Sequence, residues 1–273
     1  MEADKRINHT NSAQNLLIAL SQCLRFYSRL PVPKWPFEHD PHAVPDFAIV
    51  PRVLPIAGAI IGVPSAFILV FLNWLGCSGS LAACFAVLGS VLVTGALHED
   101  GLADVADGFG GGRTRERRLE IMADSRVGAY GAAAMVLALL IRVTAIGDLT
   151  STRGFWAAAM ALVAAASLSR VSGLLPLVFL PPARPGGRSA SVGRPSPVTI
   201  TFAVIASIIL SLAFLLIGGF HLRGIALSVI FSYIVALPMI VLSERMIGGQ
   251  TGDVAGATQQ VAEIVFLTTL LVA

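Results

Sequence analysis

The sequence predicts an all-α fold, a polytopic membrane helix bundle of six or seven transmembrane helices with an amino-terminal interfacial helix. Three observations predict it. Of the 273 residues, 55% are hydrophobic and 13% charged, and the mean hydropathy is +0.79; soluble domains carry about 25% charged residues. Six apolar stretches are long enough to cross the hydrocarbon core, which takes about 20 residues in a helix. Lys and Arg gather in alternate connections, as the cytoplasmic side of a membrane protein requires. The length leaves no room for a large soluble domain, and a net charge of +3 points to no nucleic-acid partner.

The first 13 residues are polar and charged, so no cleavable signal peptide is expected. Residues 13–30 place Leu16, Leu17, Leu20, Leu24, Tyr27 and Leu30 at helical spacing, with Arg25 and Arg29 between them. That pattern reads as a helix lying on the membrane surface. The Pro-rich stretch Pro31–Pro51 reads as a surface loop. Spans are expected at 53–75, 78–97, 129–147, 154–180, 198–219 and 224–242. A seventh apolar segment, 261–273, has only 13 residues; it either crosses with help from Ala255–Gln260 or packs in the bundle without crossing. Cys23, Cys77 and Cys84 have no metal-ligand or redox spacing and read as packing residues.

With six spans, residues 1–52, 98–128, 181–197 and 243–260 share one side and hold six, five, three and one Lys or Arg. The other side holds only Arg153 and Arg223. The amino terminus and the long polar connections are therefore expected in the cytoplasm.

One of those connections is a polar island. It runs from His98 through Glu99, Asp100, Gly101, Asp104, Asp107 and Gly108 to Arg113, then through Arg115, Arg117 and Arg118 to Asp124 and Arg126. Seven of the 16 acidic residues fall between Glu99 and Asp124. Asp100, Asp104 and Asp107 are spaced i, i+4, i+7 and line one helix face. Carboxylates so close repel unless a cation compensates, and a hard ion such as Mg²⁺ takes carboxylate oxygens and shares the rest with water and phosphate. Gly110-Gly111-Gly112 can turn backbone N–H groups toward phosphate. Arg113 and Arg126 are candidate phosphate contacts, and Asp124 a further ligand or a base. A plain solvated loop is the competing reading, and a transport site another, since ionisable groups at membrane depth mark ion pathways. His98 reads equally as ligand, base or interfacial side chain. Glu99 points off the Asp face, and Glu116 and Glu120 read as surface pairs with the neighbouring arginines.

Arg170 sits in the fourth span, roughly 15 Å from its cytoplasmic end, where an arginine needs an anion or a polar cavity. Arg142 lies nearer the outer end of its span and reads as snorkelling. Arg184 and Arg188, beside glycines in Pro181–Arg188, suit phosphate. Asp253, among the glycines of Gly248–Gly256, can join the acidic cluster.

These residues carry a resemblance. The chain resembles the adenosylcobinamide-GDP ribazoletransferase, or cobalamin synthase, family over nearly its whole length. The resemblance lies in Phe26-Tyr-Ser-Arg-Leu-Pro-Val-Pro33, Pro55-Ile-Ala-Gly-Ala-Ile-Ile-Gly62 and, most specifically, Leu97-His-Glu-Asp-Gly-Leu-Ala-Asp-Val-Ala-Asp-Gly108. Ile121-Met-Ala-Asp-Ser-Arg-Val-Gly-Ala-Tyr-Gly131, Pro182-Ala-Arg-Pro-Gly-Gly187, Gly249-Gln-Thr-Gly-Asp-Val-Ala-Gly-Ala257 and Glu263 complete it. Glu99 stands where the family pattern leads one to expect an apolar residue. Asp104-Val-Ala-Asp107-Gly108 is also similar to the D-x-x-D-G of CDP-alcohol phosphotransferases, without that family's later Asp spacing.

The resemblance implies a Mg²⁺-dependent transferase of the bacterial inner membrane. Adenosylcobinamide-GDP and α-ribazole, or α-ribazole 5′-phosphate, would give adenosylcobalamin, or its phosphate, and GMP. Asp100, Asp104 and Asp107 are then the expected metal ligands, with Asp104, Asp107 and Asp124 catalytic and Asp124 accepting the proton. Arg113, Arg126, Arg170, Arg184 and Asp253 are the expected substrate and phosphate contacts. Residues 1–52 form a cytoplasmic segment of interfacial helix and Pro-rich loop, and 53–273 a single transmembrane catalytic domain. The expected partners are these substrates, the lipid bilayer and, in a homo-oligomer, further copies of the chain. A cation or metabolite transporter and a polyprenyl-diphosphate transferase are the alternatives; no internal repeat of the kind many transporters carry is visible.

Overall fold

The structure, a computed structural model, describes residues 12–41, 43–184 and 193–272. Arg188 therefore lies outside the described residues. Helix α1 (Ser12–Tyr27) turns Ala19, Cys23 and Leu24 inward and leaves Leu16, Leu17 and Phe26 exposed. Of the residues whose spacing predicts the helix, Leu24 is buried, whereas Leu16 and Leu17 lie outside the packed side, which Ala19 and Cys23 complete. The Pro-rich stretch is not a detached loop. Arg25 donates to both oxygens of Glu38, at 2.6 and 3.0 Å, and to the carbonyls of Pro33 and Pro41. Trp35 Nε1 donates to Ser21 Oγ at 2.9 Å. The Arg25 guanidinium holds the Glu38 carboxyl below its ordinary range.

A 3-10 turn (Val50–Arg52) leads into α2 (Leu54–Trp74). Helix α7 (Phe155–Gly173) is the axis of the bundle, with every residue from Ala161 to Gly173 buried. Its run of Ala and Ser permits close helix approach. The partner surface on α2 is Gly58 and Gly62, four residues apart on one face. A methyl group added at Gly58 would lie 2.6 Å from the Ala166 carbonyl oxygen and 2.9 Å from Ser167 Cα. Both are backbone atoms, so the helices would have to part. Gly58→Ala is therefore expected to lower the melting point in detergent, because overpacking costs about 1–3 kcal/mol, more than the helix propensity that alanine returns, about 1 kcal/mol. Ser167 Oγ donates to the Pro55 carbonyl at 2.8 Å in the same interface.

Helices α3 (Gly79–Thr94) and α4 (Leu97–Gly111) meet at an 88° bend. Gly95 and Ala96 both take left-handed backbone angles there, φ 63° and 59°. The Arg29 amide donates to the Val93 carbonyl at 2.7 Å and so braces the bend. The expected span 78–97 is thus corrected. The apolar helix stops at Thr94, and it reaches a membrane-crossing length only together with the acidic helix α4. Helix α4 then runs antiparallel beside α6 (Ala129–Arg153), with Asp107 at its start and Glu99 beside Arg142. Thirteen residues of helix, about 20 Å, separate Ala129 from Arg142. The polar island is therefore no surface loop; it slopes from one end of the bundle to its middle. Between α4 and α6 stands α5 (Arg115–Met122).

Helix α8 (Leu175–Phe179) continues the α7 crossing. Helix α9 (Pro197–Ile217) is followed by α10 (Leu222–Ile234) and α11 (Ala236–Ile247), which form one crossing, and then by α12 (Gly252–Val272). Among the described residues six helices are long and apolar enough to cross a membrane, and there are seven crossings when the bent α3–α4 pair is counted as one span. The chain is a multi-pass membrane protein. The segment from 261 to 272 is the second half of α12, which residues 252–260, Ala255–Gln260 among them, extend to 21 residues, enough to cross. Large apolar side chains such as Phe67, Leu92, Ile209 and Leu237 face outward, toward lipid. Cys84 is exposed among them, so only Cys23 is a buried packing cysteine.

Two ends of the bundle are distinct. At one, Arg115 donates to the carbonyls of Ile247 and Ala183, both at 2.7 Å, and Arg118 to that of Met246 at 2.9 Å. Pro182 and Gln250 pair through their backbones. At the other, Arg153 lies over the Phe220 ring at 5.7 Å. The arginine-bearing connections 113–126 and 181–184 and the Gly248–Asp253 turn share the first end.

Candidate active site

The helical register sets Asp100, Asp104 and Asp107 along α4, but tertiary packing gives each a different setting. Asp100 is exposed and Asp104 half-buried, and their side chains make no hydrogen bond among the described residues. Asp107 is buried. Its carboxylate accepts from the Gly128 amide at 2.7 Å and the Gly131 amide at 2.9 Å. It satisfies N–H groups at the start of α6, where a negative charge also meets the positive end of the helix dipole. Asp107 thereby fixes the turn that carries Asp124 and Arg126 against the acidic helix.

Asp104 lies within electrostatic reach of Asp100, Asp253, Asp107 and Arg184. Asp253 arrives through α12, whose first turn abuts α4: a methyl at Gly101 would lie 2.9 Å from the Asp253 carbonyl oxygen. Thr251 Oγ1 donates to Asp253 Oδ2 at 3.1 Å and accepts from the Val254 amide at 3.3 Å. Arg184 is held by the Leu119 carbonyl. Residues separated by some 150 positions in the chain thus form one acidic patch with an arginine at its edge.

Other expected site residues stand apart. Asp124 is engaged by Arg126 through three side-chain contacts of 2.5–3.1 Å. These hold its carboxyl down at about 2. Arg113 is exposed, with no side-chain partner among the described residues. Arg170 is buried in α7. Its Nη1 donates to the Ala166 carbonyl at 2.7 Å, its Nε is buried without a partner, and it makes no ion pair among the described residues. Glu263, Tyr27 and Glu99 lie within its electrostatic reach. His98 is buried and stacked parallel to Tyr27, with ring centroids 5.8 Å apart.

A second polar layer lies below the patch. Arg142 does not snorkel. It is 1% exposed and pairs with Glu99 at 2.8 Å and Glu263 at 2.9 Å. Gln259 donates to Glu263 at 2.7 Å and to Ser169 at 2.9 Å. The signal for this layer was present in the sequence as two Glu and one Arg inside helical apolar surroundings. A lone reading of each residue does not pair them.

Among the described residues, no three His, Cys, Asp or Glu side chains form a group able to hold a metal ion unaided. The donor chemistry nonetheless suits Mg²⁺. That ion binds through one or two carboxylates and completes its shell with water and substrate phosphate, rather than through an all-protein cage. Within the patch, Asp100 and Asp104 are the carboxylates that accept no hydrogen bond among the described residues.

Residues 19–271 match the family model described as cobalamin-5-phosphate synthase. An adenosylcobinamide-GDP ribazoletransferase of Azorhizobium caulinodans is 48% identical over 261 residues, covering 94% of this chain and 96% of the relative. That of Xanthobacter autotrophicus is also 48% identical, covering 95% and 96%. That of Sinorhizobium medicae is 40% identical, covering 93% and 96%. No solved structure matches the chain. Since the match takes in α4, the Pro181–Arg184 connection and the start of α12 together, and leaves only short termini aside, the chain belongs to the cobalamin-5-phosphate synthase family.

Proposed function

We propose that this protein joins adenosylcobinamide-GDP to α-ribazole or α-ribazole 5′-phosphate, giving adenosylcobalamin or its phosphate and releasing GMP. The reaction takes place at the cytoplasmic face of the bacterial inner membrane, where the arginine-rich end of the bundle lies by the positive-inside rule. The observation that carries this reading is the patch where Asp100 and Asp104 meet Asp253 and Arg184. It is an acidic surface with unengaged carboxylates and a neighbouring cation, suited to a metal–pyrophosphate. Family membership supplies the substrates.

Asp100 and Asp104 would hold Mg²⁺, with Asp107 and Asp253 beside them. When bound, the ion supplies charge neutralisation for a pyrophosphate. Arg184 and Arg113 take phosphate oxygens of the GDP group, and Arg170 is the buried cation for a phosphate that reaches deeper. The 3′-hydroxyl of the ribazole attacks the phosphorus attached to the cobinamide arm. Its bond to the bridging oxygen breaks, and GMP leaves with that oxygen. Asp124 accepts the hydroxyl proton. In the free protein Arg126 occupies Asp124, but the pair is exposed and such pairs are weak in water. An incoming phosphate draws Arg126 away and leaves the carboxylate able to act.

The purified protein in vesicles without any ion gradient is expected to release GMP and form the joined corrinoid from adenosylcobinamide-GDP, α-ribazole and Mg²⁺. Transport of either compound without product would overturn the reading.

A further inference from the structure

The buried groups that this reaction leaves unused converge on one guanidinium. Arg142 of α6 binds Glu99 of α4 and Glu263 of α12. Its Nη2 also donates to Ser90 of α3 at 3.0 Å, and Gln260 of α12 donates to Glu99 at 3.1 Å. Replacing such a buried ion cluster by neutral groups of similar size is often harmless to stability. Glu99 Oε2 and Arg142 Nε are moreover buried without partners, which is costly. Stability is therefore a poor reason for the cluster.

Its geometry offers a better one. Glu99 immediately precedes Asp100 on α4, and Glu263 lies on the helix whose first turn holds Asp253. Apolar contacts tolerate sliding, whereas a planar guanidinium that satisfies two carboxylates does so in one arrangement. A slip of α4 along α12 would separate Glu99 from Arg142 and carry Asp104 away from Asp253.

We propose that Arg142, by bridging Glu99 and Glu263, is a positioning residue that locks α4 against α12 in the register setting Asp100 and Asp104 beside Asp253. The catalytic readout rests on the transfer reaction proposed above; a distance readout does not. Spin labels are placed at Ala106→Cys on α4 and Gly252→Cys on α12, with Cys23, Cys77 and Cys84 replaced by alanine. The triple variant Glu99→Gln, Arg142→Met, Glu263→Gln removes the three charges of the cluster together and leaves Arg170 as the buried cation beside them. It is expected to fold, melting below the parent but above Arg142→Met alone. Its kcat falls on the order of tenfold to a hundredfold, as for reacting groups displaced by about an ångström. The KM for α-ribazole stays unchanged, and the label distance, narrow in the parent, broadens. Parental kcat and a parental distance in the folded triple variant overturn the proposal. Arg142→Lys keeps the charge without the fork and decides the matter should the triple variant not fold. A lowered kcat and a broadened distance at parental melting support the lock; parental values overturn it. If the parent releases no GMP, the reaction fails, and the label distances alone decide the register.

Discussion

Asp104→Asn is expected to cut GMP release by about 10²–10³-fold, the size of effect seen when one group stabilising transition-state charge is lost. Asparagine preserves the shape and the helix but removes the negative charge from the residue surrounded by Asp100, Asp253, Asp107 and Arg184. Among the described residues Asp104 makes no hydrogen bond that the substitution would break. The protein should therefore reach the membrane at parental level and melt at the parental temperature. The loss should appear mainly in kcat, because charge on the transferred phosphoryl group matters most in the transition state. The assay is GMP release from adenosylcobinamide-GDP in membranes supplied with α-ribazole and Mg²⁺. Near-parental turnover would remove Asp104 from the metal site and from the reaction.

The second large effect concerns folding. Arg142→Met as a single change should destabilise the protein by about 3–5 kcal/mol, the cost of breaking a buried ion pair from one side. Glu99 and Glu263 are 3% and 6% exposed. Without Arg142 they remain as two unpaired carboxylates inside the bundle. The expected result is strongly reduced accumulation in membranes and a much lower melting point in detergent. Adding Glu99→Gln and Glu263→Gln to the same protein should restore much of the lost stability, since the two unpaired carboxylates are then gone and Arg170 alone of these groups stays charged. A single variant that melts like the parent would show that water or another cation reaches these carboxylates.

Much of the architecture is legible in the sequence because its causes are local. Apolar runs of about 20 residues mark the crossings, and the leucine spacing of α1 marks it as a helix. The i, i+4, i+7 aspartates share a face by helix geometry alone. Helix α4 ends within the triple Gly, at Gly111, where the loss of side chains favours a break. Even Arg170 reveals itself, since an arginine deep in an apolar helix has few explanations.

Other features required the folded chain. A hydropathy window averages over Gly95 and Ala96, yet their two left-handed backbones turn the chain by 88° and carry the acidic helix into the bundle. Asp107 looks equivalent to Asp100 and Asp104 until the start of α6 arrives and occupies both its oxygens. Arg142 reads as a snorkelling side chain because its partners, Glu99 and Gln260, stand 43 and 118 residues away.

By itself, the sequence determined that this chain is a multi-pass helix bundle of the cobalamin-5-phosphate synthase family with an aspartate face at its basic end. Hydropathy, helical period and charge bias all act over one or two turns, so they can be read along the chain. Only the tertiary structure decided which carboxylates are unengaged, which are spent on caps and ion pairs, and how α4 is held against α12. Those outcomes depend on hydrogen bonds between helices far apart in sequence, and a buried polar group takes its role from the partner that packing brings to it.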